Sequence, residues 1–278
     1  MNIAALLDQN AEEFPQAPAV IVPWKNKTLN FLELKEESGR LASGLLQLGI
    51  TKGDRVLLLV PFSVDFITLT FALFKAGAVP VLIDPGLGKK NTLQCIGQAQ
   101  PKGMIAIPKA HVAKQLFPKP FKSIELSITV GWRWFWGGDT LDKVRKSGKK
   151  ILPPTDMGEN DPAAILFTSG STGPSKGVVY THGMFCHQIE VLKSCFGIQP
   201  GEIDSFGSPA LWNTVSKYCI RNKVRLPSLK RILMAGAPVS GNMLKRFDKI
   251  LDDSAQIHTP YGATEALPVT SISRKMIL

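Results

Sequence analysis

Residues Thr168 to Gly177 carry the side chains best suited to chemistry. Gly170, Gly173 and Gly177 let a backbone curl and bring its N–H groups close to a ligand. Successive N–H groups in such a curl form an anion-binding concavity. The hydroxyls of Thr168, Ser169, Ser171 and Thr172 add donors, and Lys176 adds a positive charge. Together these groups suit a polyphosphate. The stretch is not a Walker A loop, which places Gly-Lys-Ser/Thr five residues after its first glycine; here Ser175 stands five after Gly170. A solvated Gly/Ser linker would share the composition. Against that, apolar Ala164 to Phe167 read as a buried strand end just before, and Val178, Val179 and Tyr180 follow just after. A flexible linker is rarely pinned so tightly at both ends.

The elements that must position this loop show in the periodicity. Residues 29–48 read as an amphipathic helix with Leu34, Leu41, Leu45 and Leu48 on one face, closed by Gly49. Arg55 to Val60 suits a strand buried on both faces. Ser63 is placed to cap a helix over Val64 to Lys75, and Val79 to Ile83 is the next strand. A helix over Asn91 to Ala99, a strand over Gly103 to Ile107, a helix from about His111 to Leu116 and a strand over Ser127 to Val130 follow. This alternation predicts an α/β fold with mainly parallel sheets and crossover helices. From Gly131 to Asp161 the pattern breaks. Trp132, Trp134, Phe135 and Trp136 read either as a surface loop whose rings pack on the core or as a patch for a lipid or protein partner. Lys143 to Asp161 reads as a polar connecting loop. Beyond the glycine-rich loop come a helix over Thr181 to Cys195, a strand over Lys230 to Met234, and a helix over Asn242 to Leu251 that Ser240 can cap. The expectation is two packed α/β subdomains, about 1–160 and about 161–278.

With 278 residues, 44% of them hydrophobic, the chain can bury one large core or two ordinary ones, and disorder as a whole is excluded. The net charge of +11 makes the surface basic. Lys and Arg are scattered, in short pairs such as Lys89-Lys90 and Lys149-Lys150, so nucleic-acid binding is not expected. Cys95, Cys186, Cys195 and Cys219 fit no CxxC pair or zinc spacing and read as buried thiols in a reducing cytoplasm. No run approaches the ~18–20 apolar residues of a membrane helix.

Three stretches in order resemble the adenylate-forming superfamily of acyl-CoA synthetases, peptide-synthetase adenylation domains and luciferases: Ala76 to Pro85, Thr168 to Gly177, and Tyr261-Gly262-Ala263-Thr264-Glu265. The resemblance implies the large N-terminal domain of such an enzyme, which joins a carboxylate to the α-phosphate of ATP and expels pyrophosphate. The protein's share of that chemistry is alignment and neutralisation of phosphate charge. Thr168, Ser169, Gly170, Ser171, Thr172, Gly173 and Lys176 would hold the β- and γ-phosphates, Thr264 would contact the α-phosphate, and Glu265 would bind Mg²⁺. Lys176, Thr264 and Glu265 are thus the catalytic candidates. Tyr261, followed by Gly262, would stack on adenine. Gly236, Ala237 and Pro238 would pass beside the base, although a tight strand–helix turn needs the same small residues. Gly207, Ser208 and Pro209 resemble a stretch lining an acyl pocket; His182 and His258 either face that pocket or are structural histidines.

Within the superfamily, Thr129 to Gly138, Phe206 to Trp212 and His258 to Glu265 look most like the β-lactone synthetases of bacterial long-chain olefin biosynthesis. The implied partners are ATP and a fatty or β-hydroxy fatty acid. Coenzyme A is the acceptor in the alternative, a fatty-acyl-CoA ligase. Peripheral membrane contact or contact with a pathway enzyme stays open. Two departures limit the resemblance. Lys176 and Glu265 are 89 residues apart, closer than in these enzymes, which places a seam at Asp204-Ser205. The chain also stops thirteen residues after Glu265, before the family's ribose-binding carboxylate and small C-terminal domain. The chain as it stands is therefore expected to adenylate poorly, with a non-catalytic nucleotide-binding remnant as the alternative.

Overall fold

In the computed structural model, which describes residues 1–22, 27–167, 175–263 and 266–278, the apolar runs become strands and the amphipathic runs cover them. The first unit, Met1–His187, opens with α1 (Ala5–Glu13), the antiparallel pair β1 (Pro18–Val22) and β2 (Lys27–Asn30), and α2 (Phe31–Gln47). The expected helix 29–48 starts later because Asn30 is its N-cap. The Asn30 side chain accepts from the Glu33 N–H at 2.7 Å, and the Glu33 carboxylate accepts from the Asn30 N–H at 2.9 Å.

Next come β3 (Arg55–Leu59), α3 (Val64–Lys75), β4 (Val79–Ile83), α4 (Gly88–Ala99), β5 (Gly103–Ala106), α5 (Pro108–Leu116) and β6 (Leu126–Thr129). They are followed by β7 (Asp139–Thr140), α6 (Leu141–Ser147), β8 (Pro162–Phe167) and β9 (Gly177–Thr181). Ser63 caps α3 as its position predicts, accepting from the Phe66 N–H at 3.2 Å.

Strands β3 to β9 form one sheet in the order β7-β6-β5-β3-β4-β8-β9, parallel except for β9. The chain steps from β3 to β4 on one side, then returns past β3 to β5 on the other. Right-handed crossovers in opposite directions put their helices on opposite faces. Leu41 and Leu45 of α2, Leu69 and Leu73 of α3 and Val144 of α6 pack with Val56 and Leu58 on one face. Ile96 and Ala99 of α4 pack with Leu57, Val81 and Met104 on the other. Successive residues of β3 therefore enter different apolar layers, which is why the strand reads as an unbroken hydrophobic run. Each fully buried leucine contributes about 1.5–3 kcal/mol.

Helix α6 corrects part of the polar-loop expectation for Lys143 to Asp161. Thr140 caps it, Leu141 and Val144 are buried, and Arg145 reaches Glu37 at 2.5 Å and Asp65 at 2.6 Å. Two buried apolar positions in so short a helix do not register as a period. The aromatic stretch divides. Trp136 stacks on His111 with ring centroids 5.5 Å apart and donates to the Thr129 hydroxyl at 3.0 Å, while Trp132, Trp134 and Phe135 stay exposed. The cysteines divide too: Cys95 and Cys219 are buried as expected, whereas Cys195 is exposed. Among the described residues no helix is long and apolar enough to cross a membrane.

The break between units falls later than residue 160. Strands β8 and β9 join the first sheet beside β4, carrying the first unit to His187, within α7 (His182–Phe196). The second unit, Gln188–Leu278, adds β10 (Ile203–Gly207), α8 (Pro209–Asn222), β11 (Leu229–Met234), α9 (Gly241–Arg246), β12 (Gln256–Ala263), β13 (Ala266–Ser273) and α10 (Arg274–Ile277). Its sheet order is β10-β11-β12-β13, with only the last pair antiparallel. Strand β10 crosses the seam with a shift of register between Ile203 and Asp204, after which Asp204 stands opposite Arg231 and Ser205 opposite Ile232. The buried Arg231 guanidinium donates to both Asp204 oxygens at 2.7 and 2.8 Å, to Glu202 at 3.1 Å and to the Gly197 carbonyl at 3.2 Å.

Candidate functional site

The two ends of the glycine-rich loop are fixed. Phe167 of β8 pairs directly with Gly177 of β9, so residues 168–176 connect a closed antiparallel pair. A Cβ at Gly177 would lie 2.8 Å from the Phe167 ring, so any larger residue there would have to displace that ring. The Phe167 carbonyl accepts from the Asp84 N–H at 2.9 Å, tying the loop's start to the end of β4. Ser175, not among the candidates that the sequence offers, is buried and hydrogen-bonded to the Cys95 thiol of α4. Burial pushes that thiol above its usual pKa, with the Ser175 bond acting the other way. Nothing in the sequence separates Ser175 from its neighbouring hydroxyls. Lys176 follows it and is exposed. Thr168, Ser169, Gly170, Ser171, Thr172 and Gly173 lie outside the described residues, as do Thr264 and Glu265.

In the second unit, three expected stretches share the edge where the parallel strands end. Gly207 closes β10 opposite Met234, the last residue of β11, and the Ala235 N–H reaches the Gly207 carbonyl at 3.2 Å. Gly207-Ser208-Pro209 and Gly236-Ala237-Pro238 thus leave the sheet side by side. Strand β12 pairs His258 with Leu233 and carries Tyr261 past the same edge. Ser208 caps α8, accepting from the Leu211 N–H at 3.3 Å, and Pro209 fills the first turn. Gly236 has φ +91°, so the strand–helix turn needs a glycine, and the space beside it is open. Tyr261 is 70% exposed, leaving its ring free to stack, with Gly262 beside it half-buried. His258 packs edge-on against Phe196 at 4.9 Å, and its Nε2 lies 2.9 Å from the Gln256 side-chain oxygen. Burial, then the Arg231 charge, lowers its pKa.

His182 does not share an edge with Lys176. Strand β9 runs back across the sheet, so its last residue, Thr181, pairs with Pro162 at the start of β8. There the His182 imidazole is fully buried, beside the Phe74 ring, and its Nδ1 accepts from the Ile3 N–H at 3.1 Å. Nδ1 as acceptor puts the proton on Nε2, which has no hydrogen-bond partner among the described residues. Burial depresses the pKa to about 4, with the Asp161 charge opposing. The folded state thus excludes a proton that the unfolded chain takes up. Stability should be full above pH 6.5 and fall as pH drops toward 4, by ~3 kcal/mol from this residue. The buried His111, whose pKa burial also lowers, adds to the same trend. Denaturant midpoints at pH 7 and pH 4.5 should converge in His182→Gln relative to wild type; an unchanged pH slope would remove His182 from this role.

A family model described as AMP-binding enzyme matches residues 7–205. The chain belongs to this family. The match stops at Ser205, on the seam that the sequence reading marks. The olefin beta-lactone synthetase of Xanthomonas campestris pv. campestris is 36% identical over 333 aligned positions, covering 99% of this chain and 59% of that protein. The enzyme of the same name from Stenotrophomonas maltophilia is 37% identical, covering 98% and 59%. The chain therefore spans 59% of the length of these relatives. An alignment of 333 positions for 278 residues also means that positions of the relative have no counterpart here. The crystal structure of a long-chain-fatty-acid-CoA ligase (FadD1) from Archaeoglobus fulgidus is similar with a TM-score of 0.81 at 20% identity, over 98% of this chain and 66% of that one. The fold is that of the N-terminal domain of adenylate-forming enzymes, as the sequence predicts.

Proposed function

We propose that the protein containing this chain activates a fatty acid bearing a β-hydroxyl, as an acyl-adenylate, and closes it to a β-lactone. A carboxylate oxygen attacks the α-phosphorus of ATP, and pyrophosphate leaves. The substrate's own hydroxyl oxygen then attacks the acyl carbon, losing its proton, and AMP leaves. What supports this reading is the likeness to olefin beta-lactone synthetases across 99% of the chain. The clamped loop with Lys176 at its return limb suits phosphate binding, and the exposed Tyr261 beside the open Gly236 turn suits a flat base. Mg²⁺ would be held through Glu265 and would neutralise phosphate charge. Among the described residues no group of three or more His, Cys, Asp or Glu offers a metal site of its own. We place the protein in the cytoplasm. The exposed Trp132, Trp134 and Phe135 are its surface for a peripheral membrane or a pathway enzyme.

The test is product analysis in a polypeptide of the relatives' full length. With ATP, Mg²⁺ and a β-hydroxy fatty acid it should give AMP, pyrophosphate and a β-lactone in the absence of coenzyme A. Formation of acyl-CoA alone, and only when coenzyme A is supplied, would overturn the lactone reading in favour of a ligase.

A further inference from the structure

The first unit contains a cavity of about 1060 Å³ that neither the nucleotide nor the acyl-pocket assignment uses. It lies at the C-terminal ends of β3, β4, β5 and β8, lined among others by Leu59, Val60, Leu82, Ile107 and Phe167. This is the place where the chain leaves β3 toward α3 on one face of the sheet and leaves β4 toward α4 on the other. Open α/β sheets form their ligand crevice at such a divergence. The walls are hydrocarbon and aromatic, with Phe66 from α3, Leu93 and Ile96 from α4, and Ala113 and Phe117 in or beside α5. A nucleotide, which needs polar partners along its length, does not suit them.

The polar groups of the lining are few, and two are cations. Lys89 stands in the first turn of α4 and Lys109 in the first turn of α5. Neither helix has a side-chain N-cap or an acid in its first turn. Both positive helix ends thus meet added positive charge, the reverse of what a helix dipole favours unless an anion joins them. The Lys89 ammonium sits 4.1 Å above the Phe117 ring centroid, at the wall itself. The carboxylate of Asp84 also borders the cavity, with one oxygen accepting from the Gly86 N–H at 2.8 Å, and is outnumbered by the two lysines.

We propose that this cavity is a second lipid site, which takes one long-chain fatty-acid anion with its chain inward and its carboxylate at Lys89 and Lys109. It requires no ATP and none of the residues assigned to ligand contact in the adenylating reading, and shares with that reading only Phe167 and Asp84, which fix the start of the glycine-rich loop. The volume is at the upper end of the ~300–1,000 Å³ of small-molecule sites, room for an extended chain. Because methylenes carry the affinity, each one removed should raise Kd by about fourfold.

The test is titration of the whole chain with cis-parinaric acid, without nucleotide, and displacement by hexadecanoate, dodecanoate, hexadecanol and hexadecyltrimethylammonium. The expected result is saturable binding that includes one site per chain lost on filling this cavity, displacement from that site by hexadecanoate far better than by dodecanoate, and poor displacement by the alcohol and the cation. Lys89→Glu/Lys109→Glu, both exposed positions, should weaken hexadecanoate at least tenfold with an unchanged thermal melt. Ala113→Trp should fill the cavity and remove this one site per chain, and unchanged stoichiometry in that variant would place the bound fatty acid elsewhere. Lys176→Ala should bind hexadecanoate as wild type does. Equal displacement by the alcohol or the cation, wild-type affinity in the charge-reversed protein, or loss of binding in Lys176→Ala would each overturn the assignment.

Discussion

Replacing Lys176 by alanine should slow pyrophosphate release ~10²–10³-fold in a polypeptide of the relatives' full length. In the present chain it should weaken Mg·ATP binding by ~1–3 kcal/mol. The clamp behind the loop is the reason for so large an effect. Phe167 and Gly177 hold both ends, and Ser175 is anchored on Cys95, so the residue next to it presents its ammonium from a fixed base. A preorganised charge pays little reorganisation when negative charge builds on the phosphates, and the mutant has no neighbouring lysine within the loop to replace it. Calorimetry with Lys150→Ala as the control locates the effect, since Lys150 is exposed on a connecting segment. Equal ATP affinity in wild type and Lys176→Ala would refute the loop assignment.

Asp8→Ala should cost the first unit ~3–5 kcal/mol, the price of stranding a buried charge. The Lys75 side chain is fully buried in α3, and its Nζ donates to Asp8 Oδ1 at 2.7 Å and to the Lys35 carbonyl at 3.1 Å. Burial lowers the Lys75 pKa, and the Asp8 bond and charge oppose that shift without cancelling it. Removing Asp8 leaves the ammonium one carbonyl and no counter-charge. The double variant Asp8→Ala/Lys75→Met should recover most of the loss, because a well-packed apolar pair often replaces a buried ion pair at little cost. Urea midpoints of the two variants decide it. A double variant as unstable as the single one would show that packing around Asp8, rather than its charge, holds α1 in place.

The first sheet was readable because β3, β4 and β5 are apolar runs bounded by glycine, proline or a capping residue, as at Ser63. Strands β1, β2 and β13 were not: β1 is a short run that opens on a proline and pairs only with β2, while β2 and β13 mix polar and apolar residues without a regular alternation. Helix α6 escaped for lack of a repeat, and the late unit boundary for lack of any local signal: the long-range pairing of Val81, Leu82 and Ile83 with Ile165, Leu166 and Phe167 carries β8 into the first sheet. Gly207, Ser208, Gly236 and Tyr261, brought forward by resemblance, do share one sheet edge. His182 was ambiguous because a histidine at a strand–helix junction reads the same whether its ring meets ligand or core; only its bond to Ile3 separates the two.

The position of β8 between β4 and β9 also sets an order of events on the ribosome. Val79–Ile83 emerges roughly 80 residues before its partner, so at about 5–20 residues per second the apolar flank of β4 waits some 4–16 s for a neighbour. Asn2 waits longer, since one of its carbonyl partners is Thr155, and Ile3 longer still, for His182. The nascent chain therefore presents a bare, aliphatic strand edge throughout that interval. A chaperone that captures such edges during translation should raise the soluble yield of this protein, and slow codons placed between those two strands should lower it.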